Sequence, residues 1–137
     1  MRYLRINENY ILDTPLIKVV QQLRVALTNG KLREIKSWSE GDDNIVVTCP
    51  YRHHKGGAES KASMNIYVGE DTEIPYGYCK CWSCDFQCDF VHFVAECFEC
   101  SEDFAKHWLI DKFGILSACY FKSARFSKTR VNFCNFA

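Results

Sequence analysis

The sequence predicts an α+β fold: a small antiparallel β-sheet carrying cysteine knuckles, flanked by one N-terminal helix and two C-terminal helices. Three observations predict it. Between residues 14 and 30, apolar residues recur at helical spacing. Between residues 44 and 81 they alternate at period two, as half-buried strands require. After Cys84 the spacing returns to three and four. The chain has 137 residues, 47% of them hydrophobic and 15% aromatic, which suits one domain with a packed core and argues against disorder.

Each element follows from local chemistry. Thr14-Pro15 predicts an N-cap followed by proline at the first helical position. Leu16, Val20, Leu23 and Leu27 then form a stripe widened by Val19 and Ala26, and Asn29-Gly30 stops a helix of about four turns. Residues 33–38 and 44–48 suggest two short strands joined by turn residues 39–43. Met64, Ile66 and Val68 alternate with Ser63, Asn65 and Tyr67, giving a strand over 62–68 with one buried face. Residues 69–75 form a turn region, and 76–80 a strand leading into Cys81. Phe90, Phe93, Val94 and Cys97 mark the next helix. Ser101 caps the last one, with Glu102 and Asp103 suiting its positive end, a buried face of Phe104, Ala105, Trp108, Leu109 and Phe113, and Gly114 as its stop. Residues 1–13 carry no clear pattern. The expected organisation is a body over 1–114 and a basic tail or linker over 115–137.

The N-terminus lacks the apolar stretch of a secretory signal, and no apolar run reaches the ~18 residues of a membrane span. Nine cysteines, odd in number and irregularly spaced, suit a disulfide framework poorly. The expectation is therefore a reducing, cytoplasmic setting without membrane association, where clustered cysteines bind metal. Formal net charge is zero, so composition does not announce a nucleic-acid binder. The tail nevertheless carries Lys122, Arg125, Lys128 and Arg130 and no acid, leaving the body mildly acidic.

Zinc takes four soft or borderline ligands in a tetrahedron, and two short loops giving two ligands each satisfy that geometry. Cys81-Trp82-Ser83-Cys84 is one such loop, directly after an expected strand. Cys49, also after a strand, opens the other, and His54 or its neighbour His53 completes it. A set of Cys49, His54, Cys81 and Cys84 makes a closed structural site rather than a catalytic one with an open position. A thioredoxin-type dithiol is the rival for Cys81 and Cys84, but it wants a βαβ setting. Cys97-Phe98-Glu99-Cys100 is a second C-x2-C pair, and with Cys119 and Cys134 it is a weaker candidate for another zinc. Cys97 falls on the helical stripe, where a small buried thiol is common. Cys79 and Cys88 flank the knuckle, with Cys79 awkwardly close to Cys81 for chelating one ion.

In order along the chain, Cys49-Pro50, His54-Lys55-Gly56-Gly57-Ala58-Glu59, the strand Ser63-Met64-Asn65-Ile66, the knuckle Tyr78-Cys79-Lys80-Cys81-Trp82-Ser83-Cys84, Asp89-Phe90-Val91-His92-Phe93-Val94, and Phe104-Ala105 resemble the CHC2-type zinc-binding domain of bacterial and phage DNA primases. The resemblance spans roughly residues 14–114. The spacer between Cys-Pro and His is longer than in that family, and His54 keeps the Gly-Gly-x-Glu run in register. Asp85 stands where the family has a glycine suited to positive φ, and Cys88 where it has a glycine before Asp89.

The resemblance implies one structural Zn2+ and a module that binds single-stranded DNA template in support of primer synthesis during replication. It implies as partners a primase catalytic domain, a replicative helicase, or both, in a bacterial or phage-infected cell. No polymerase centre is expected within residues 115–137. Single strands are gripped by cations on phosphates and aromatic faces on bases. The candidates are Arg52, Lys55, Lys61, Tyr67, Lys80 and Trp82, with Tyr78 nearby. Near-zero charge keeps a second reading open: a zinc ribbon that docks a polymerase or helicase without touching DNA. An enzyme using cysteine chemistry at Cys81-Cys84 or Cys97-Cys100 is a third.

Overall fold

The computed structural model describes residues 2–36, 38–39, 41–51 and 62–119. The elements run β1 (Leu4–Arg5), β2 (Tyr10–Leu12), α1 (Leu16–Ala26), β3 (Asn44–Val47), β4 (Met64–Tyr67), β5 (Cys79–Cys81), β6 (Gln87–Cys88), α2 (Phe90–Phe98), α3 (Glu102–Phe113) and β7 (Ile115–Leu116). The fold is α+β, with two small antiparallel sheets, one ordered β1-β2-β7 and the other β3-β4-β5-β6. None of the described helices is long and apolar enough to cross a membrane.

The four-stranded sheet is a meander whose register sorts its side chains. Ile45, Ile66, Cys79 and Cys88 lie opposite one another across all four strands, and Val47, Met64 and Cys81 form the parallel row. Apart from the half-buried Cys88, these residues are fully buried. They share one core with Leu16, Val19, Val20 and Leu23 of α1 and Phe90, Phe93, Val94 and Cys97 of α2. Burying each of the two phenylalanines contributes about 1.5–3 kcal/mol. The intervening row, Val46, Asn65, Lys80 and Gln87, occupies the opposite face of the sheet.

Several elements depart from the sequence expectation. Helix α1 has 11 residues and starts after Pro15, which holds an extended ψ of 133°, and Thr14 does not cap it. Its last turn unwinds because Leu27 is already extended, and Ala26 is exposed. The expected strand over 33–38 reduces to a single bridge between Ile35 and Val47, held by Lys36 N–H to Val46 C=O and Thr48 N–H to Glu34 C=O. The strand at 76–80 begins later, at Cys79. Gly77, at φ +85°, turns the chain after Pro75, with Tyr78 N–H donating to Pro75 C=O. A Cβ on Gly77 would lie 3.1 Å from that of Phe90, so the turn also needs glycine for space. Residues 1–13, without a pattern in sequence, contain the β1–β2 hairpin, whose turn is set by Asn7 Oδ1 accepting from the backbone of Asn9 and Tyr10.

The C-terminal helices follow expectation more closely. Asp89 caps α2 by accepting from His92 N–H at 2.8 Å, and Ser101 caps α3 by accepting from Phe104 N–H at 3.2 Å. Only Ala105 and Leu109 of α3 are fully buried. Phe104, expected inside, is 50% exposed and packs edge-on against Phe98. Ile115 and Leu116 pair with β2, so ordered structure continues past Gly114.

Candidate metal centre

Two strand ends build the site. Strands β3 and β5 both flank β4, and the row Val47–Met64–Cys81 aligns their ends. Cys49 lies just beyond Val47, so it reaches the same edge of the sheet as Cys81. The second loop then doubles back: Cys81 N–H donates to Phe86 C=O at 2.8 Å, and Asp85 N–H donates to Cys81 C=O at 2.9 Å. Asp85 holds φ +65°, a left-handed conformation that suits glycine better. Trp82 N–H donates to Ser63 C=O, anchoring the loop to β4's lead-in.

The outcome is three convergent thiols. The sulfurs of Cys49, Cys81 and Cys84 all lie within 4.8 Å of one another, with Cys49 Sγ and Cys84 Sγ 4.0 Å apart. Tetrahedral Zn–S bonds of about 2.3 Å put sulfurs about 3.8 Å apart, so the spacing already suits such an ion. It is the only such group among the described residues. His53 and His54, the candidates for the fourth position, lie outside the described residues, as do Arg52, Lys55 and Lys61.

Burial pushes the Cys49 and Cys84 thiols up, and their neighbouring sulfurs raise Cys49 further. The backbone of Tyr51, two residues after Cys49, and that of Phe86, two residues after Cys84, oppose this shift without overturning it. Ser63 Oγ sits 3.4 Å from Cys81 Sγ. Without a metal the cluster therefore keeps its protons, and an incoming cation must displace them.

Sequence reasoning missed one feature of the site. The rings of Tyr51 and Phe86 stack at 4.0 Å with a 10° interplanar angle, and His92 meets Phe86 edge-on. Each stacked ring follows a candidate ligand by two residues, so the pair joins the segments that follow Cys49 and Cys84. That shared offset from Cys49 and Cys84 was the trace available in sequence.

The remaining described cysteines stand apart. Cys79 and Cys88 face each other across β5 and β6 as free thiols, and Cys79 Sγ donates to Gly77 C=O at 3.3 Å. Cys97 is fully buried in the core, and Cys100 Sγ donates to Ser101 C=O. Neither Cys97 nor Cys100 joins a metal-ligating group among the described residues. Cys119, offered with them for a second zinc, is instead disulfide-bonded, so at this position the expectation of reduced cysteines does not hold. Cys134 lies outside the described residues.

The candidate nucleic-acid residues divide. Trp82 is 67% exposed, and Lys80 Nζ lies 4.5 Å from the centre of its ring while pairing with Asp85 at 3.6 Å. Tyr67 is nearly buried, with its hydroxyl accepting from Asp71 N–H and its ring against Gly69, so it offers little face for stacking. Tyr78 hydrogen-bonds Gln87 across the hairpin. No known family model, curated protein or solved structure matches the chain.

Proposed function

We propose that this chain is a structural-zinc ribbon of the primase type, which binds single-stranded DNA. The observation that carries the metal part is the convergence of Cys49, Cys81 and Cys84 from two separate loops at one sheet edge. His54 is the proposed fourth ligand, with His53 as its alternative. Four such ligands leave no open position, so the zinc would supply rigidity rather than reactivity. Cys49, Cys81 and Cys84 would hold the ion as thiolates, helped by the Tyr51 and Phe86 N–H groups.

The nucleic-acid part rests on the ordered motifs of the sequence and is supported by the surface beside the site. Trp82 presents an open ring next to a lysine, the combination that stacks a base and holds its phosphate. Lys80 shares its row across the sheet, opposite the core, with Asn65, Gln87 and Val46. Arg52, Lys55 and Lys61 would add cations from the segment between Cys49 and β4. The partners proposed are a template strand together with a primase catalytic domain or a replicative helicase.

A polarisation titration of the zinc-loaded chain with a short labelled single strand, at two salt concentrations, tests this. Affinity should fall steeply with salt. Replacing Trp82 with alanine should weaken binding about tenfold, the order of one base–aromatic stack. Absence of salt-sensitive binding would favour the second reading, a ribbon that docks a polymerase or helicase, which the zero net charge supports.

A further inference from the structure

Lys31 is a lysine in an uncommon place: its side chain is only 9% exposed. Buried ammonium groups persist where partners hold them. Lys31 Nζ donates to Pro50 C=O at 3.1 Å and pairs with Glu99 Oε1 at 3.5 Å. At its other end, the Lys31 carbonyl accepts from Thr48 Oγ1 at 3.3 Å. One residue thus holds both chain neighbours of Cys49.

The segment around Lys31 is itself anchored. Asn29 Oδ1 accepts from Lys31 N–H, while Asn29 Nδ2 donates to Cys97 C=O at 2.8 Å and to Glu99 Oε2 at 3.3 Å. Arg33 N–H donates to the same Thr48 hydroxyl at 2.8 Å. Glu34 Oε1 then accepts from Ala62 N–H at 3.1 Å, on the far side of residues 52–61. Residues 29–34 therefore tie the end of α2 to the chain on either side of residues 52–61.

We propose that Lys31 is a positioning residue for the metal centre: it fixes the Cys49 main chain from both sides, through Pro50 and Thr48. This inference rests on the metal reading. It says why a charged side chain is buried beside Pro50, and it singles out Cys49, both of whose chain neighbours Lys31 holds.

The test compares the full zinc-loaded chain with K31M, which keeps the methylene stem and loses the ammonium, and with T48V, which removes the other half of the bracket. Zinc affinity is read by competition with a chromophoric chelator, and alkylation of each cysteine by iodoacetamide is followed by mass spectrometry. Both variants should bind zinc about tenfold more weakly, the scale of losing an outer-shell partner. In both, Cys49 should become the first of the three thiols to be alkylated. Equal acceleration at Cys49, Cys81 and Cys84 would mean a general loss of fold, and unchanged affinity with an unchanged order would mean a core lysine only; either result overturns the proposal. Should the wild-type chain hold no zinc, the metal reading fails, and the alkylation order in the same proteins still decides whether Lys31 brackets Cys49.

Discussion

At Asp85 the second loop carries a backbone conformation that costs a non-glycine residue energy. Its φ of +65° lies in the left-handed region, where asparagine and aspartate are tolerated but glycine is at ease. Asp85 recovers little by its ion pair with Lys80, since its side chain is 83% exposed and such pairs contribute about 0–1 kcal/mol. D85G should therefore stabilise the zinc-loaded chain by about 0.5–1 kcal/mol, read as an upward shift in the denaturant midpoint. A loss of stability would show that the ion pair outweighs the strain. Cys97 offers a second residue-level prediction. Burial holds its thiol well above the ordinary value of 9.0, although Lys31 opposes the shift. A group raised in the folded state contributes stability below its unfolded value and loses it as pH rises. As the unfolded thiol ionises above pH 9.0, the chain should lose stability from this group, with the slope approaching about 1.4 kcal/mol per pH unit at most. In C97A the fall in unfolding free energy between pH 9 and 10 should be shallower, by about 1 kcal/mol, and an unchanged slope would contradict the assignment. The convergence of Cys49, Cys81 and Cys84 was legible at this scale because a C-x2-C loop after one strand and a cysteine after another can bring their sulfurs to one sheet edge. The Tyr51–Phe86 stack and the Lys31 bracket were not, because they join residues far apart in sequence through no shared period.

At the scale of elements, long and capped segments were legible and short ones were not. The stripe and cap chemistry of α3 placed its start at Ser101, and the same reasoning predicts that S101A costs about 1 kcal/mol, measurable by denaturation. A cost near zero would mean that solvent replaces the lost acceptor. Helix α1 came out shorter than its apolar stripe because the stripe continues into Leu27, whose backbone is extended. Strands of two or three residues, such as β1, β2 and β6, are too short for alternation to register. Their pairing depends on partners elsewhere, as β2 with β7 shows. The face of α3 was misjudged at Phe104 for a related reason: periodicity says which residues share a side, and the extent of the packing partner decides how many are covered.

For the molecule as a whole, the core and the metal centre share residues. Cys49 and Cys81 belong to the same buried cluster as α1, α2 and the inner sheet face. An ion on those sulfurs would tie two strand ends that the short β3–β4–β5 ladder alone holds weakly, so its removal should loosen the sheet as well as the loops. The α+β architecture was legible because the change of period from helix to strand and back spans the whole chain. The chemical purpose is less so, since zero net charge and one exposed tryptophan beside one lysine leave recognition of DNA or of a protein as the choice for the binding titration. Everything proposed depends first on the ion and its ligands. X-ray absorption at the zinc edge, on the chain purified with its metal, tests that directly. The account predicts one zinc per chain with three sulfurs at about 2.3 Å and one nitrogen at about 2.0 Å. A zinc-free chain, or a shell without three sulfurs, would contradict it.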